Sequence, residues 1–167
     1  MIQEIEADIF KTPSDCLMHQ CNCFCTMGAG LAREIKRRIP EAYRIDARNG
    51  RKGDDSKLGT VSYAEVISDR YSHIKYVANM YAQFDYGRGK CYTNYAAFSL
   101  CITRVLQDLP SRRIFTIPYK IGCGYGGGDW NTILGILKAN FESSSRKTLK
   151  ICKFTEKATE MPFPDRI

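Results

Sequence analysis

The sequence predicts an α/β fold: a three-layer sandwich in which helices cover both faces of a mixed, mostly parallel sheet. Short apolar, β-rich segments alternate along the chain with segments whose apolar residues recur at helical spacing. Two glycine-rich loops each join a predicted strand to a predicted helix. With 167 residues, 44% of them hydrophobic, the chain suits one domain with a buried core.

The first half of the chain supplies four predicted strands and two predicted helices. The strands are apolar or alternate in polarity, and they span residues 2–8, 15–22, 60–66 and 74–81. A helix begins at Gly30, carries Leu31, Ile35 and Ile39 on one stripe and ends before Pro40, because proline cannot continue it. Residues 41–48 predict a second short helix, and the charged segment 49–57 predicts a loop.

The second half continues the alternation. Apolar residues at helical spacing predict one helix around 95–106 and another after Asp129, which is a good N-cap residue. Residues 113–118 and 148–154 predict two further strands. The domain is therefore expected to cover residues 1–154. The tail, 155–167, has two prolines and no clear period, which predicts irregular structure.

Charge and cysteine content limit the kinds of ligand that the protein is expected to bind. There are 25 lysines and arginines against 18 acidic residues, a net charge of +7 that favours a phosphorylated or polyanionic ligand and leaves nucleic-acid binding open. Cys21, Cys23 and Cys25 alternate as in an extended strand, but the eight cysteines form no C-x-x-C pair, so we expect no metal. No cofactor or membrane contact is expected. The absence of a signal peptide or long apolar span predicts a cytoplasmic location, and in a eukaryote also a nuclear one.

Glycines are concentrated in two loops that precede helices. The segment KIGCGYGGGDW has five glycines between Gly122 and Gly128, and Gly28-Ala-Gly30 opens an earlier helix. Free N–H groups at such a loop and at a helix N-terminus can bind phosphate, although tight packing alone also selects glycine. Because loops at the carboxyl ends of parallel strands share one rim, we expect the two loops to face each other across a crevice.

Four segments together resemble the macrodomain family over residues 1–154: ADIF, CNCFCTMGAGLAREIKRRIP, NMYAQFDYGRGKCYTNY and IPYKIGCGYGGGDW. The resemblance implies a domain that binds ADP-ribose, as the free ligand or attached to a small molecule, a protein or a nucleic acid. It also implies hydrolysis of such conjugates in many members. We expect a monomer.

The resemblance also implies roles for individual residues. Asp8, with the Ile9 backbone beside it, would accept a hydrogen bond from adenine, and Phe154 would stack on the adenine ring. Asn22 would lie near the distal ribose. The backbone along the ribose and phosphates would come from Gly28, Ala29 and Gly30, and the diphosphate cradle from Gly122, Cys123, Gly124, Tyr125 and Gly126. Asp8 as a turn cap and Phe154 as a core residue stay open as alternatives.

The sequence says less about the reaction than about the ligand. Within the family, the sequence looks most similar to a branch that contains terminal ADP-ribose protein glycohydrolase and ADP-ribose 1''-phosphate phosphatases. The catalytic lysine and aspartate of the glycohydrolase fall near Gln83 and at Gly126, so both groups are missing here. A phosphatase needs only firm binding, hydrogen-bond donors and an oriented water, for which Asn22, Gln83 and Asp129 are the catalytic candidates.

Three hypotheses therefore stand beside one another. The first is an enzyme that hydrolyses ADP-ribose 1''-phosphate or an ADP-ribosyl ester. The second is a reader that binds ADP-ribose without turnover, and the third is a nucleic-acid-binding domain. Asp85 and Arg88 are further candidates for holding the water or the leaving phosphate. Lys90 and Lys120 stay open as lysines for a covalent mechanism.

Overall fold

The computed structural model describes residues 1–111 and 113–164, and its centre is a six-stranded sheet. In the order of the sheet, β1 pairs with β6, then β5, β2, β4 and β3, and only the edge pair of β3 with β4 is antiparallel. The strand bounds are β1 Ile2–Glu6, β2 Ser14–Cys21, β3 Val61–Glu65, β4 Ile74–Tyr81, β5 Arg113–Pro118 and β6 Lys147–Lys153. The prediction of a mixed, mostly parallel sheet is confirmed.

Helices cover both faces of this sheet. They are α1 Gly30–Arg38, α2 Pro40–Arg48, α3 Tyr95–Asp108, α4 Trp130–Phe141 and the short α5 Glu156–Thr159. Helices α3 and α4 pack on one face through residues such as Phe98 and Leu137. Helices α1 and α2 pack on the other face through Ile35 and Ala42. The three-layer arrangement predicted from the sequence is therefore confirmed.

Strand β2 shows why the core divides into two layers. Successive side chains of a strand point to opposite faces, so Cys16 and Met18 join the α3–α4 core while Leu17 joins the α1–α2 core. A strand buried on both faces has the continuous apolar pattern from which β2 was predicted. Its position beside β4 places the carboxyl end of β2 in the middle of the rim where the glycine loops lie.

Three local predictions need correction. The first strand ends at Glu6 instead of Asp8, because Asp8 caps a single turn of 3-10 helix at Ile9–Lys11. The tail is not wholly irregular, since α5 lies within it; residues 165–167 fall outside the described residues. The charged segment 49–57 does form a loop with one 3-10 turn, but its last residue, Lys57, is buried.

Candidate functional site

A continuous cavity runs along the carboxyl rim of the parallel strands. An inner pocket of about 310 Å³ opens between the loops that follow β2 and β4, and a loop groove of about 240 Å³ continues from it between the two glycine loops. The two spaces share the wall residues Gln20, Ala29, Ala32, Gln83 and Tyr125. Gly30 and Gly122 line the loop groove from opposite sides. The two loops thus meet over one crevice, as the sequence predicts.

The loop after β2 is held in an unusual conformation. Asn22 Oδ1 accepts a hydrogen bond from Phe24 N at 2.9 Å, and Asn22 Nδ2 donates to Thr26 Oγ1 at 2.6 Å. Cys25 and Met27 both adopt positive φ angles, 56° and 37°, which L-residues rarely do. Such strain is characteristic of functional loops. The turn also means that Cys23 and Cys25 do not continue strand β2, which corrects the expectation of an extended segment.

Helix α1 presents an N-terminus without a side-chain cap. Its N-cap residue, Ala29, makes no side-chain hydrogen bond, and Gly30 begins the helix with φ 55°. The N–H groups of Gly30, Leu31 and Ala32 have no acceptor within the described part of the chain, and the helical bonds begin with Arg33 N, which donates to Ala29 O. The same first turn lines the loop groove. The positive end of the helix dipole and free N–H donors therefore face this groove, which suits an anion.

Most glycines of the second loop are required by packing against the segment after β4. The carbonyl of Gly126 accepts hydrogen bonds from Tyr92 N at 2.7 Å and from Thr93 N at 2.9 Å. A Cβ atom at Gly126 would lie 2.6 Å from Gly122 O, and one at Gly127 would lie 2.4 Å from Lys90 O. The loop and this segment therefore form one tightly packed unit, so the packing interpretation of the glycines is correct for these positions.

Packing does not require glycine at Gly124 or Gly28. A Cβ atom at Gly124 would meet no atom within 4 Å, and one at Gly28 would make only ordinary contacts of 3.9 Å or longer. Gly124 lines the loop groove and Gly28 lines the inner pocket. A side chain at either position would project into space that the cavity provides. At these two positions the interpretation that a ligand approaches the main chain fits the structure.

Glutamine 20 lies below the second loop and ties it to the wall. Its Nε2 donates to Gln83 Oε1 at 2.8 Å and to Thr93 Oγ1 at 2.9 Å. Thr93 in turn donates to the Gly122 carbonyl at 2.7 Å. Gln20 Oε1 is buried and has no partner among the described residues. The network holds the loop over the junction between the inner pocket and the loop groove.

The inner pocket ends at a buried charged group. Asp46, 1% exposed, accepts hydrogen bonds from Tyr81 Oη at 2.8 Å and from Lys57 Nζ at 3.4 Å. Burial raises the pKa of the neighbouring Cys21 thiol well above its usual value, so Cys21 is a poor nucleophile. Asp46 is the carboxylate that lines this pocket, and its neighbours hold it as a fixed, paired charge.

The residues predicted for adenine binding lie at the far end of the rim, beyond the two cavities. Asp8 Oδ1 caps the turn after β1 through Phe10 N at 2.9 Å, so the turn-cap alternative is realised in the structure. The Ile9 side chain is buried in the α1–α2 core. Phe154 follows β6 and is 66% exposed, which corrects the core alternative. Because β1 and β6 are neighbours, Asp8 and Phe154 follow adjacent strands at one end of the cleft.

Of the three catalytic candidates, the structure brings two together. Asn22 and Gln83 both line the inner pocket. Asp129 does not line it: its carboxylate caps α4 through Thr132 N and Thr132 Oγ1, which lowers its pKa. The catalytic prediction for Asp129 is therefore not supported, and its N-cap role is. Lys120 lines the loop groove, whereas Lys90 lies outside both cavities.

Four of the five predicted cradle residues line the loop groove, and the prediction missed several other wall residues. Gly122, Gly124, Tyr125 and Gly126 line the loop groove, while Cys123 is adjacent in the chain but does not line it. Gln20 could have been found as a polar residue within an otherwise apolar strand. Asp46 carried no signal, because a carboxylate on a charged helix is ordinarily solvated. Thr26 and Tyr86 also line the inner pocket.

Sequence comparison gives one extended relative and several partial ones. No protein-family model matches the sequence. An uncharacterized 17.5 kDa protein of Enterobacteria phage T4 is 33% identical over 125 residues, which is 72% of this chain and 76% of that protein. An ADP-ribose 1''-phosphate phosphatase of Debaryomyces hansenii is 34% identical over 104 residues, 54% of this chain. The match spans only 58% of that yeast protein.

Structure comparison identifies the fold. The macrodomain of Mycobacterium tuberculosis DarG matches with a TM-score of 0.72 at 20% identity and covers 93% of this chain and 99% of its own. Thermosipho africanus DarTG in complex with ADP-ribose matches with a TM-score of 0.73 at 15% identity, over 98% of this chain and 43% of its own. The fold is that of a macrodomain, which confirms the resemblance at the level of the fold. By sequence, the chain belongs to the same family as the T4 protein.

Two properties of the described residues bear on other functions. Within residues 1–111 and 113–164, no helix is long and apolar enough to cross a membrane. The same residues contain no group of three or more histidine, cysteine, aspartate or glutamate side chains placed to hold a metal ion.

Proposed function

We propose that the chain binds ADP-ribose along the cleft and hydrolyses an ester at the distal ribose, with ADP-ribose 1''-phosphate as the leading substrate. The observation that carries the proposal is the loop groove, where the uncapped N-terminus of α1 faces the Gly124 backbone. A pyrophosphate carries two negative charges close together. N–H donors of the α1 N-terminus and of the second glycine loop can therefore bind the same group at once. Adenine then extends toward Asp8 and Phe154, and the distal ribose enters the inner pocket.

Hydrolysis of the phosphate ester requires little acid–base chemistry from the protein. Water attacks phosphorus, the bond between phosphorus and the ribosyl oxygen breaks, and a proton from the water goes to that oxygen, which yields ADP-ribose and inorganic phosphate. Asn22 and Gln83 supply amide groups at the pocket wall that hold phosphoryl oxygens and the water. Support comes from the partial sequence match to yeast phosphatases of this type.

Binding without turnover is the second candidate function. The inner pocket contains one carboxylate, Asp46, and that group is already paired with Lys57 and Tyr81. The Cys21 thiol, also in its wall, has a raised pKa. Without a free general base, the same pocket serves equally as a reader of ADP-ribose.

The decisive experiment measures binding and turnover separately. Calorimetry with ADP-ribose tests binding, and phosphate release from ADP-ribose 1''-phosphate tests catalysis. We expect Asn22→Asp to abolish phosphate release while keeping the acceptor for Phe24 N, because a carboxylate repels the phosphoryl group. Asn131→Ala, on the exposed start of α4, is the matched control. Binding without phosphate release by the wild type would establish the reader, and absence of binding would reject both functions.

A further inference from the structure

A third cavity adjoins both the inner pocket and the loop groove, along the segment that follows β4. This open cleft has a volume of about 670 Å³, and it shares Arg88 and Tyr125 with the inner pocket. Its remaining wall residues are Gly89, Lys90, Cys91, Gly124 and Gly127. Two of the wall residues are cationic and none is acidic. A group that leaves the inner pocket between Arg88 and Tyr125 therefore enters a positively charged space.

The turn that carries these cations is fixed by packing. Gly87 and Gly89 have φ angles of 153° and 82°, which favour glycine on both sides of Arg88. A Cβ atom at Gly87 would lie 2.4 Å from Tyr92 Oη, so the turn packs closely on that ring. Tyr86 contacts Phe24 edge-on, with ring centroids 5.9 Å apart. The backbone on both sides of Arg88 is thus held by its neighbours, and the Arg88 side chain is exposed.

Arg88 and Lys90 are positioned by aromatic rings instead of by carboxylates. The Arg88 guanidinium lies over the Tyr125 ring at 5.2 Å, and its Nη2 donates to Tyr125 Oη at 3.4 Å. Lys90 Nζ lies over the Tyr92 ring at 4.9 Å. Neither cation forms an ion pair with a carboxylate in the described segments. Stacking leaves the charges uncompensated and leaves most guanidinium donors free.

We propose that Arg88 and Lys90 form an anion subsite that binds a phosphate monoester on the distal ribose, and that this cleft prefers ADP-ribose 1''-phosphate to ADP-ribose without that phosphate. The inference rests on the proposed function, because it takes the ribose to lie in the inner pocket. With adenine at the end near β1, the distal ribose points toward the loop after β4, where Arg88 stands. A guanidinium recognises a phosphate with two parallel hydrogen bonds, which a neutral hydroxyl group cannot accept as strongly.

The test compares two ligands that differ by one phosphate. Affinities for ADP-ribose and ADP-ribose 1''-phosphate are measured by competition with a fluorescent ADP-ribose analogue, read before turnover proceeds. The wild type should bind the phosphorylated ligand more tightly. Arg88→Gln should weaken binding of that ligand by about ten-fold, a typical effect for one charge-assisted contact. The loss for ADP-ribose should be much smaller, so the ratio of the two affinities should fall.

Further variants separate the charge from the geometry. Arg88→Lys keeps the charge and should restore part of the preference, while Lys90→Gln should remove a smaller part. Arg104→Gln, an exposed arginine on α3, is the matched control and should change neither affinity. Equal wild-type affinities for both ligands, or an equal loss for both in Arg88→Gln, would overturn the subsite. No ADP-ribose binding at all would instead reject the proposed function.

Discussion

Gly124 differs from the other glycines of its loop in what surrounds it. A Cβ atom there would meet nothing within 4 Å, whereas one at Gly126 would lie 2.6 Å from Gly122 O and 2.7 Å from Thr93 Oγ1. One residue type therefore serves two purposes within three positions: close packing of backbones at Gly126, and access for a ligand at Gly124. Substitution by alanine can separate the two.

Gly126→Ala should destabilise the fold, and Gly124→Ala should not. The clash at Gly126 is with backbone that cannot move freely, so we expect a loss of about 1–3 kcal/mol in the free energy of unfolding. At Gly124 a methyl group fits the protein but occupies the loop groove, so the affinity for ADP-ribose should fall while stability is kept. Urea unfolding and calorimetry measure the two quantities.

Gly135→Ala is the control for both variants. Gly135 lies within α4, where a Cβ atom also meets nothing within 4 Å. Alanine there should stabilise the helix by about 0.5–1 kcal/mol and leave binding unchanged. Normal ADP-ribose affinity in Gly124→Ala would mean that the ligand does not approach this backbone.

Gly126 also explains why one catalytic group is missing. The aspartate of the glycohydrolase aligns with this position by resemblance, yet the carbonyl of Gly122 and the hydroxyl of Thr93 leave no room for any side chain there. The packing of the second loop onto the segment after β4 is thus incompatible with an aspartate at residue 126. Any hydrolysis in this cleft would therefore have to use other groups.

At the scale of elements, the β2–β4 pair buries a titratable residue. His19 is opposite Asn79 in the register of the two strands, and its Nε2 lies 2.7 Å from Asn79 Oδ1. Asn79 Nδ2 donates to Ala42 O, so its Oδ1 is the acceptor and His19 Nε2 carries the proton. Burial lowers the pKa of His19 from 6.5 to about 4.

This depressed pKa predicts a pH dependence of stability. Between pH 6.5 and about 4, the unfolded chain binds a proton at His19 that the folded protein does not. The free energy of unfolding should therefore be highest above pH 6.5 and decrease as the pH falls, by up to about 3 kcal/mol from this residue. Urea unfolding at pH 7 and pH 5 should show a smaller difference for His19→Gln than for the wild type. Equal differences in His19→Gln and the wild type would refute the assignment.

Elements differ in how far the sequence could predict them. The bounds of β4 and β5 match the prediction. Both segments are short and rich in apolar and β-branched or aromatic residues, and β5 ends at Pro118, which cannot donate to a neighbouring strand. The predicted end of β1 was wrong because Asp8 Oδ1 accepts a hydrogen bond from Phe10 N, and this turn ends the strand early. The pairing of Asp46 with Lys57 joins α2 to a later loop, and a contact of this kind depends on the folded chain rather than on local pattern.

The whole molecule carries a net charge of +7, but its basic stretch is explained locally. Lys36, Arg37 and Arg38 occupy the last turn of α1, where cations stabilise the negative end of the helix dipole. Arg37 and Arg38 also pair with Glu34. These cations lie at the end of α1 opposite the loop groove, so they do not form one surface with Arg88 and Lys90.

This distribution of positive charge predicts which ligands raise the thermal stability of the protein. A compound that binds only the folded state raises stability by about 2.7 kcal/mol at 100 times its dissociation constant. For a chain of this size, that corresponds to a rise in Tm of about 5–10 °C. We expect ADP-ribose to produce this shift at 0.15 M salt. A single-stranded oligonucleotide should produce none, because its binding needs a continuous basic surface and weakens steeply with salt. An oligonucleotide shift as large as that of ADP-ribose, persisting at this salt concentration, would instead favour nucleic acid as the ligand of the cleft.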